Sequence, residues 1–148
     1  MSNLGTNNDD KLVGGNDSDV LYGYGGNDIL DGGAGADDMR GGDGNDIYFV
    51  DNSSDSITEG SGSGSGTDAV HSSATFILPS NVENLQLTGS SDIDATGNDS
   101  ANRLKGNSGA NTLTGNGGND ILNGGAGVDD MRGCLLYTSD AADDTTGG

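Results

Sequence analysis

The sequence has little of what usually stabilises a small protein. Its 148 residues include one cysteine, one proline and no tryptophan, and aromatic residues make up 4%. Collagen-like structure is excluded, because it needs a strict three-residue glycine period and many prolines. A run of about 18 apolar residues is also missing, so no membrane span is expected.

Positive charge is scarce as well. Lys and Arg total 5 against 24 Asp and Glu, which gives a net charge of −19. Nucleic acid is therefore excluded as a partner, since phosphate binding needs basic patches. Hydrophobic residues reach only 30%, too few for a conventional core. The chain is either disordered or held together by something other than apolar burial.

Glycine is abundant, with 29 residues, and recurs with a period of nine. In a frame that starts at Gly5, three chemical types keep their phase. The first residue of each unit is Gly5, Gly14, Gly23, Gly32, Gly41, Gly97, Gly106, Gly115 or Gly124. The sixth is Asp10, Asp19, Asp28, Asp37, Asp46, Asn102, Asn111, Asp120 or Asp129, and the eighth is Leu12, Leu21, Leu30, Met39, Tyr48, Leu104, Leu113, Leu122 or Met131. A disordered segment would not keep this phase, so these units are expected to fold.

The period predicts a parallel β-solenoid. Glycines permit tight turns, and the apolar residue two places after each Asp marks a short strand with one inward side chain. Two units make a coil of 18 residues, so residue n stacks on residue n+18 at one strand spacing, about 4.8 Å. One inward apolar residue per unit does not offset an ordering entropy of about 1–2 kcal/mol per residue. The repeats are therefore expected to need a ligand to fold.

Stacking places like charges together and predicts a metal site. Asp10 is expected near Asp28, Asp19 near Asp37, and Asp28 near Asp46, and such pairs repel unless a cation lies between them. Glycine turns expose carbonyls beside them, and an all-oxygen cage suits Ca²⁺ better than Zn²⁺ or copper. The candidate carbonyls lie near Gly15, Gly25, Gly26, Gly33, Gly35, Gly42, Gly44, Gly117, Gly118, Gly125 and Gly127.

Three segments carry a family resemblance. GGAGADDMR (32–40), GGDGNDIYF (41–49) and GGAGVDDMR (124–132) resemble the RTX nonapeptide G-G-x-G-x-D-x-U-x, a bacterial Ca²⁺-binding repeat. The resemblance implies an all-β fold, a parallel β-roll or right-handed β-solenoid, in which sixth-position Asp residues two repeats apart share an ion. The best sites are then Asp19/Asp37 and Asp28/Asp46. Asn102/Asp120 and Asn111/Asp129 should bind more weakly, because an amide carries no charge.

The chain divides into four predicted segments. A nonapeptide block over 5–49 is followed by a spacer of wider β coils over 50–96, with a flexible Gly/Ser loop at 60–66, and by a second block over 97–133. Residues 134–148 are expected to be a non-native tail, because CLLYTSDAAD is similar to a translated sequencing-library adapter. The chain is accordingly expected to be a fragment of a longer protein.

Two functional hypotheses follow from the resemblance. The first is a structural module of a secreted bacterial RTX protein, of adhesin or surface type, that folds as Ca²⁺ binds. The alternative is the C-terminal carrier region of a secreted RTX protease, lipase or haemolysin. Either implies export by type I secretion machinery, in keeping with the lack of a Sec-type signal peptide. No enzyme is expected in this segment: His71 is the single histidine, too few for a zinc hydrolase. An ice- or sugar-binding face would need more threonine than Thr112 and Thr114 supply.

Overall fold

The computed structural model describes residues 2–133 and the backbone of β16 (Leu136–Thr138). Short strands and tight turns make up this part of the chain, and none of it is helical. No helix in the described residues is long and apolar enough to span a membrane. Except for that strand, the predicted non-native tail at 134–148 lies outside the described residues.

Two compact units divide the chain. The first comprises residues 2–71 and Pro79–Val82, and the second comprises Ser72–Leu78 and the described residues from Glu83 onward. Strands of the first unit are β1 (Ser2–Leu4), β2 (Lys11–Val13), β3 (Val20–Gly25), β4 (Ile29–Asp31), β5 (Asp38–Asp43), β6 (Ile47–Val50), β7 (Ser56–Thr58) and β8 (Ala69–Ser72). They form two parallel stacks, ordered β1-β3-β5-β7 and β2-β4-β6-β8.

The second unit repeats this arrangement. Its strands are β9 (Phe76–Ile77), β10 (Asn84–Leu87), β11 (Ala95–Thr96), β12 (Arg103–Lys105), β13 (Thr112–Thr114), β14 (Ile121–Asn123), β15 (Asp130–Arg132) and β16. The stacks run β9-β11-β13-β15 and β10-β12-β14-β16. The predicted all-β fold, a parallel β-roll, is confirmed.

The 18-residue coil is confirmed by the strand register. Leu12 pairs with Leu30, Leu30 with Tyr48, and Leu104 with Leu122, each 18 residues apart. Eight of the nine eighth-position residues are buried as predicted, and Met131 is half-buried. In the nonapeptide coils the core is therefore a narrow column of single eighth-position side chains. Strands β6 and β10 each bury two apolar side chains, Tyr48 with Val50 and Leu85 with Leu87.

Longer coils occur in the predicted spacer. Phe76 pairs with Ala95, and Asn84 with Arg103, both 19 residues apart. In the first unit the offset from Asp46 to Asp68 is 22 residues, and the Asp46 amide donates a hydrogen bond to Asp68 Oδ1 at 2.8 Å. The additional residues lie in the Gly/Ser segment before Asp68, which lets the turn lengthen without shifting the strands.

Candidate metal centre

The sixth-position side chains form buried columns on the turns. In the first unit one column contains Asp10, Asp28 and Asp46, and the other Asp19 and Asp37. In the second unit Asn102 stacks with Asp120, and Asn111 with Asp129. All nine are buried except Asp10, which is half-buried. Carboxylates are almost never fully buried without a partner, so each column needs a compensating interaction.

Part of this compensation comes from a backbone amide of the neighbouring coil, which donates a hydrogen bond to one carboxylate oxygen, Oδ1, in each pair. The amide of Asp10 donates to Asp28 Oδ1 at 2.8 Å, and the amide of Asp28 donates to Asp46 Oδ1 at 2.7 Å. The same contact joins Asp19 to Asp37 at 2.8 Å. In the second unit it joins Asn102 to Asp120 at 2.8 Å and Asn111 to Asp129 at 2.9 Å. Sixth-position residues therefore tie each coil to the next through Oδ1.

The second oxygen divides the turns into two classes. In capped turns it accepts an amide hydrogen bond from its own turn: Thr6 N donates to Asp10 Oδ2 at 2.6 Å, and Gly15 N to Asp19 Oδ2 at 2.7 Å. Asn102 and Asn111 have a single side-chain oxygen, Oδ1, which is capped by the amides of Asn98 and Asn107 at 2.8 and 2.9 Å. Capped turns are satisfied by the protein itself.

In uncapped turns the second oxygen is buried and accepts no hydrogen bond from the described residues. This class contains Asp28, Asp37, Asp46 and Asp120. A buried carboxylate oxygen without a partner is strongly unfavourable, because it has lost its hydration. Among the predicted sixth-position residues, these four oxygens are therefore where a bound cation would stabilise the fold.

Backbone conformation separates the two classes. The second residue of each uncapped turn has a positive φ: Tyr24 (77°), Gly33 (78°), Gly42 (107°) and Asn116 (68°). In the capped turns the second residues are Thr6, Gly15, Asn98 and Asn107, and none of them has a positive φ. Left-handed backbone is unusual for a side chain as bulky as that of Tyr24. Its presence marks a turn whose conformation is imposed by the stacked coils.

Glycine at the first position keeps space open around the uncapped oxygens. A Cβ on Gly23 would lie 2.2 Å from Asp28 Oδ2 and 2.6 Å from the carbonyl oxygen of Gly41. A Cβ on Gly32 would lie 2.4 Å from Asp37 Oδ2, and one on Gly115 2.3 Å from Asp120 Oδ2. Each uncapped carboxylate thus lies against the backbone of a first-position glycine. A larger residue at that position would clash with the carboxylate oxygen. The donors are all oxygen, which fits a hard cation such as Ca²⁺.

Burial also raises the pKa values of the uncapped aspartates in the first unit. Desolvation raises the pKa of Asp28 and of Asp37, and neighbouring carboxylates raise both further. Desolvation, with a smaller contribution from Asp28, raises the pKa of Asp46 to about 6. Each shift means that the negative charge is unfavourable in the folded chain when no cation is bound.

Most of the glycines chosen as carbonyl donors take a conformation that requires glycine. A positive φ, between 78° and 136°, occurs at Gly26, Gly33, Gly35, Gly42, Gly44, Gly118, Gly125 and Gly127, but not at Gly15, Gly25 or Gly117. These glycines shape the turn around the carboxylates. Whether their carbonyls bind an ion stays a prediction.

Three acidic residues belong to the columns or border them but were not predicted. Asp55 Oδ1 accepts the amide of Asp37 at 3.0 Å, and Asp68 continues the other column from Asp46. Asp55 could have been found, because the nine-residue frame extends one unit beyond 49 with Asp55 and Ile57 in phase. Asp68 was hidden by its longer turn. Glu59 occupies a first position, where the frame expects glycine.

Comparison with protein-family models identifies the repeats. The model for the RTX calcium-binding nonapeptide repeat matches residues 4–39, 34–57 and 96–131, more than half of the chain. The chain belongs to the RTX calcium-binding nonapeptide repeat family. Matched regions of this RTX chain include every column residue except Asp68. No curated protein and no solved structure shows significant similarity to it, so the assignment rests on the repeats.

Proposed function

We propose that this RTX chain is a structural module that folds as Ca²⁺ binds, within a secreted bacterial protein of adhesin or surface type. The observation that supports it is the set of buried, uncapped oxygens on Asp28, Asp37, Asp46 and Asp120. Together with the predicted need for a ligand, they make the metal-free fold unfavourable and a cation-bound fold favourable.

The predicted ligand pairs differ in strength. Asp28/Asp46 contributes two uncapped oxygens, whereas Asp19/Asp37 contributes one, because Gly15 caps Asp19. In Asn102/Asp120 and Asn111/Asp129 the first member is a neutral amide that is already capped. We therefore rank Asp28/Asp46 as the strongest of the repeat sites and the asparagine pairs as the weakest.

The difference in Ca²⁺ concentration between the cytosol and the outside of the cell indicates where the chain would fold. Extracellular Ca²⁺ modules commonly bind with Kd of about 10⁻⁴–10⁻³ M, so such sites would stay empty in the cytosol and fill outside. A chain of this kind would pass through type I secretion machinery unfolded and fold after export. Nothing in this mechanism requires catalysis, and we propose no enzymatic activity for the segment itself.

A second candidate is the carrier region of a secreted RTX enzyme or toxin. The same Ca²⁺-dependent folding would serve it, since a carrier also needs to be unfolded before export and folded afterwards. Two repeat regions on either side of a longer-coil segment slightly favour the structural module. The gene flanking this segment would distinguish the two, because a carrier has a catalytic or toxin domain attached to it.

Far-UV circular dichroism of the full chain during a Ca²⁺ titration tests the proposal, with Mg²⁺ as the control ion. We expect a transition from coil to β structure at sub-millimolar to millimolar Ca²⁺ and none with Mg²⁺, which dehydrates reluctantly and needs near-ideal octahedral geometry. A full β spectrum in chelator would contradict the proposal, because packing alone would then hold the fold.

A further inference from the structure

One acidic cluster lies outside the nonapeptide pattern. It contains Asp46, Glu59 and Asp68, at the point where the turn that starts at Gly41 meets the Gly/Ser segment. Arg40 pairs with Thr58 in the strand register, so Glu59 stacks on Gly41 in the place of a first-position glycine. The longer turn that follows brings Asp68 under Asp46.

The three side chains converge on one small space. One carboxylate oxygen from each lies within 4.8 Å of the others, and the residues are 1%, 8% and 0% exposed, respectively. A Cβ on Gly41 would lie 2.1 Å from Asp46 Oδ2, 2.2 Å from the Tyr48 hydroxyl and 2.6 Å from Glu59 Oε1. Both carboxylate oxygens are thus directed at the same point.

Glu59 is held in this position by its own backbone contacts. Its Oε2 accepts hydrogen bonds from the amides of Gly42 and Gly60, both at 3.3 Å. Its Oε1 is buried and, like Asp46 Oδ2, accepts no hydrogen bond from the described residues. The contacts fix one oxygen of Glu59 and leave the other aimed into the cluster, as a preformed ligand would be.

Asp46 and Glu59 have no basic partner among the described residues. The ion pairs with Lys or Arg in that part of the chain are Arg40 with Asp38 and Arg132 with Asp130, and neither involves Asp46 or Glu59. Two oxygens that bind the same Ca²⁺ ion lie no more than about 5.2 Å apart, because each is about 2.3–2.6 Å from the ion. A mutual separation within 4.8 Å lets all three oxygens bind one divalent ion, and the choice of Ca²⁺ comes from the proposed function.

We propose that Asp46, Glu59 and Asp68 form a three-carboxylate site for a hard divalent cation. It shares Asp46 with the repeat pair Asp28/Asp46 and differs from the repeat sites by the ligand Glu59. It rests on the proposed function for the choice of ion but not for the cluster itself. A third carboxylate raises the ligand charge, and Ca²⁺ affinity rises with ligand charge and rigidity. The site should therefore fill first, ahead of the repeat pairs.

The test is equilibrium dialysis of the full chain with radioactive Ca²⁺, comparing the unmodified chain with Glu59→Gln. We expect the isotherm of the unmodified chain to begin with a tight phase and that of Glu59→Gln to lose it, with at least about a tenfold rise in the Kd of that phase. Glu83→Gln is the matched control, because Glu83 is the only other glutamate. It should keep the tight phase.

Two further observations distinguish a variant that fails to fold from one that has lost the site, and a wrong site from a wrong proposed function. Glu59→Gly restores the glycine of the repeat pattern, so it should fold in saturating Ca²⁺ by circular dichroism and still lack the tight phase. A tight phase unchanged in both variants would overturn the three-carboxylate site and leave the repeat sites standing. Absence of any Ca²⁺ binding by the unmodified chain would overturn the proposed function as well.

Discussion

Asp46 offers the sharpest test of the electrostatic reasoning, because its charge should be unfavourable without Ca²⁺ and favourable with it. The replacement Asp46→Asn keeps the shape of the side chain and an oxygen that can accept the Asp28 amide. It removes one negative charge from a buried column. Asp51→Asn removes the same charge from an exposed position and serves as the control.

The size of the effect follows from the pKa of Asp46, which burial raises from 3.8 to about 6. At about 1.4 kcal/mol per unit, the ionised carboxylate destabilises the metal-free fold by about 3 kcal/mol above pH 6. Asp46→Asn should relieve this. With Ca²⁺ at about 100 times Kd, each lost site removes about 2.7 kcal/mol, so losing both sites that share Asp46 would remove about 5 kcal/mol.

The assay is urea unfolding at a series of Ca²⁺ concentrations near neutral pH, with extrapolation to zero Ca²⁺. Plots of unfolding free energy against Ca²⁺ should cross: Asp46→Asn is more stable than the unmodified chain at zero Ca²⁺ and less stable at saturation. Asp51→Asn should run parallel to the unmodified chain. Parallel lines for Asp46→Asn would refute the reasoning, since its charge would then have no role in binding.

Two further predictions concern the turn and the acids. Gly23→Ala should destabilise the Ca²⁺-bound chain by about 1–3 kcal/mol or more in urea unfolding, because its Cβ would meet a carboxylate oxygen at 2.2 Å; Gly60→Ala, with no atom within 4 Å of its Cβ, should change little. The metal-free chain should lose stability as pH rises from about 4 to 8. Desolvation first, and then Asp68 and Asp46, raise the pKa of Glu59 to about 8, so the folded state binds more protons than the unfolded state in that window. Far-UV circular dichroism in chelator should therefore show more β structure near pH 4 than near pH 8, and a β content that does not change with pH would contradict this second prediction.

Much of the fold could be predicted from the period alone. A nine-residue repeat with one apolar residue in phase is sufficient to set the register, and Leu12, Leu30 and Tyr48 stack as expected. The columns of sixth-position residues follow from the same register. These features depend on spacing, which the sequence states directly.

The distinction between capped and uncapped turns could not be predicted in the same way. Gly15 has the glycine of the motif at the second position, yet its amide caps Asp19. Tyr24 lacks that glycine, yet it adopts a positive φ and its turn is uncapped. Backbone conformation there is set by contact with neighbouring coils and not by the residue alone. Glu59 could not be predicted as a ligand for a related reason. Its position next to Gly41 depends on how the two coils stack, and the sequence of its own unit does not show this.

A crystal structure of the chain grown in Ca²⁺, with an anomalous difference map for calcium, tests the central claim most directly. The account predicts calcium peaks beside the uncapped Oδ2 atoms of Asp28, Asp37, Asp46 and Asp120, with the solenoid register preserved. Calcium found only at exposed carboxylates, or none within the turns, would contradict the claim that these buried oxygens bind the ion.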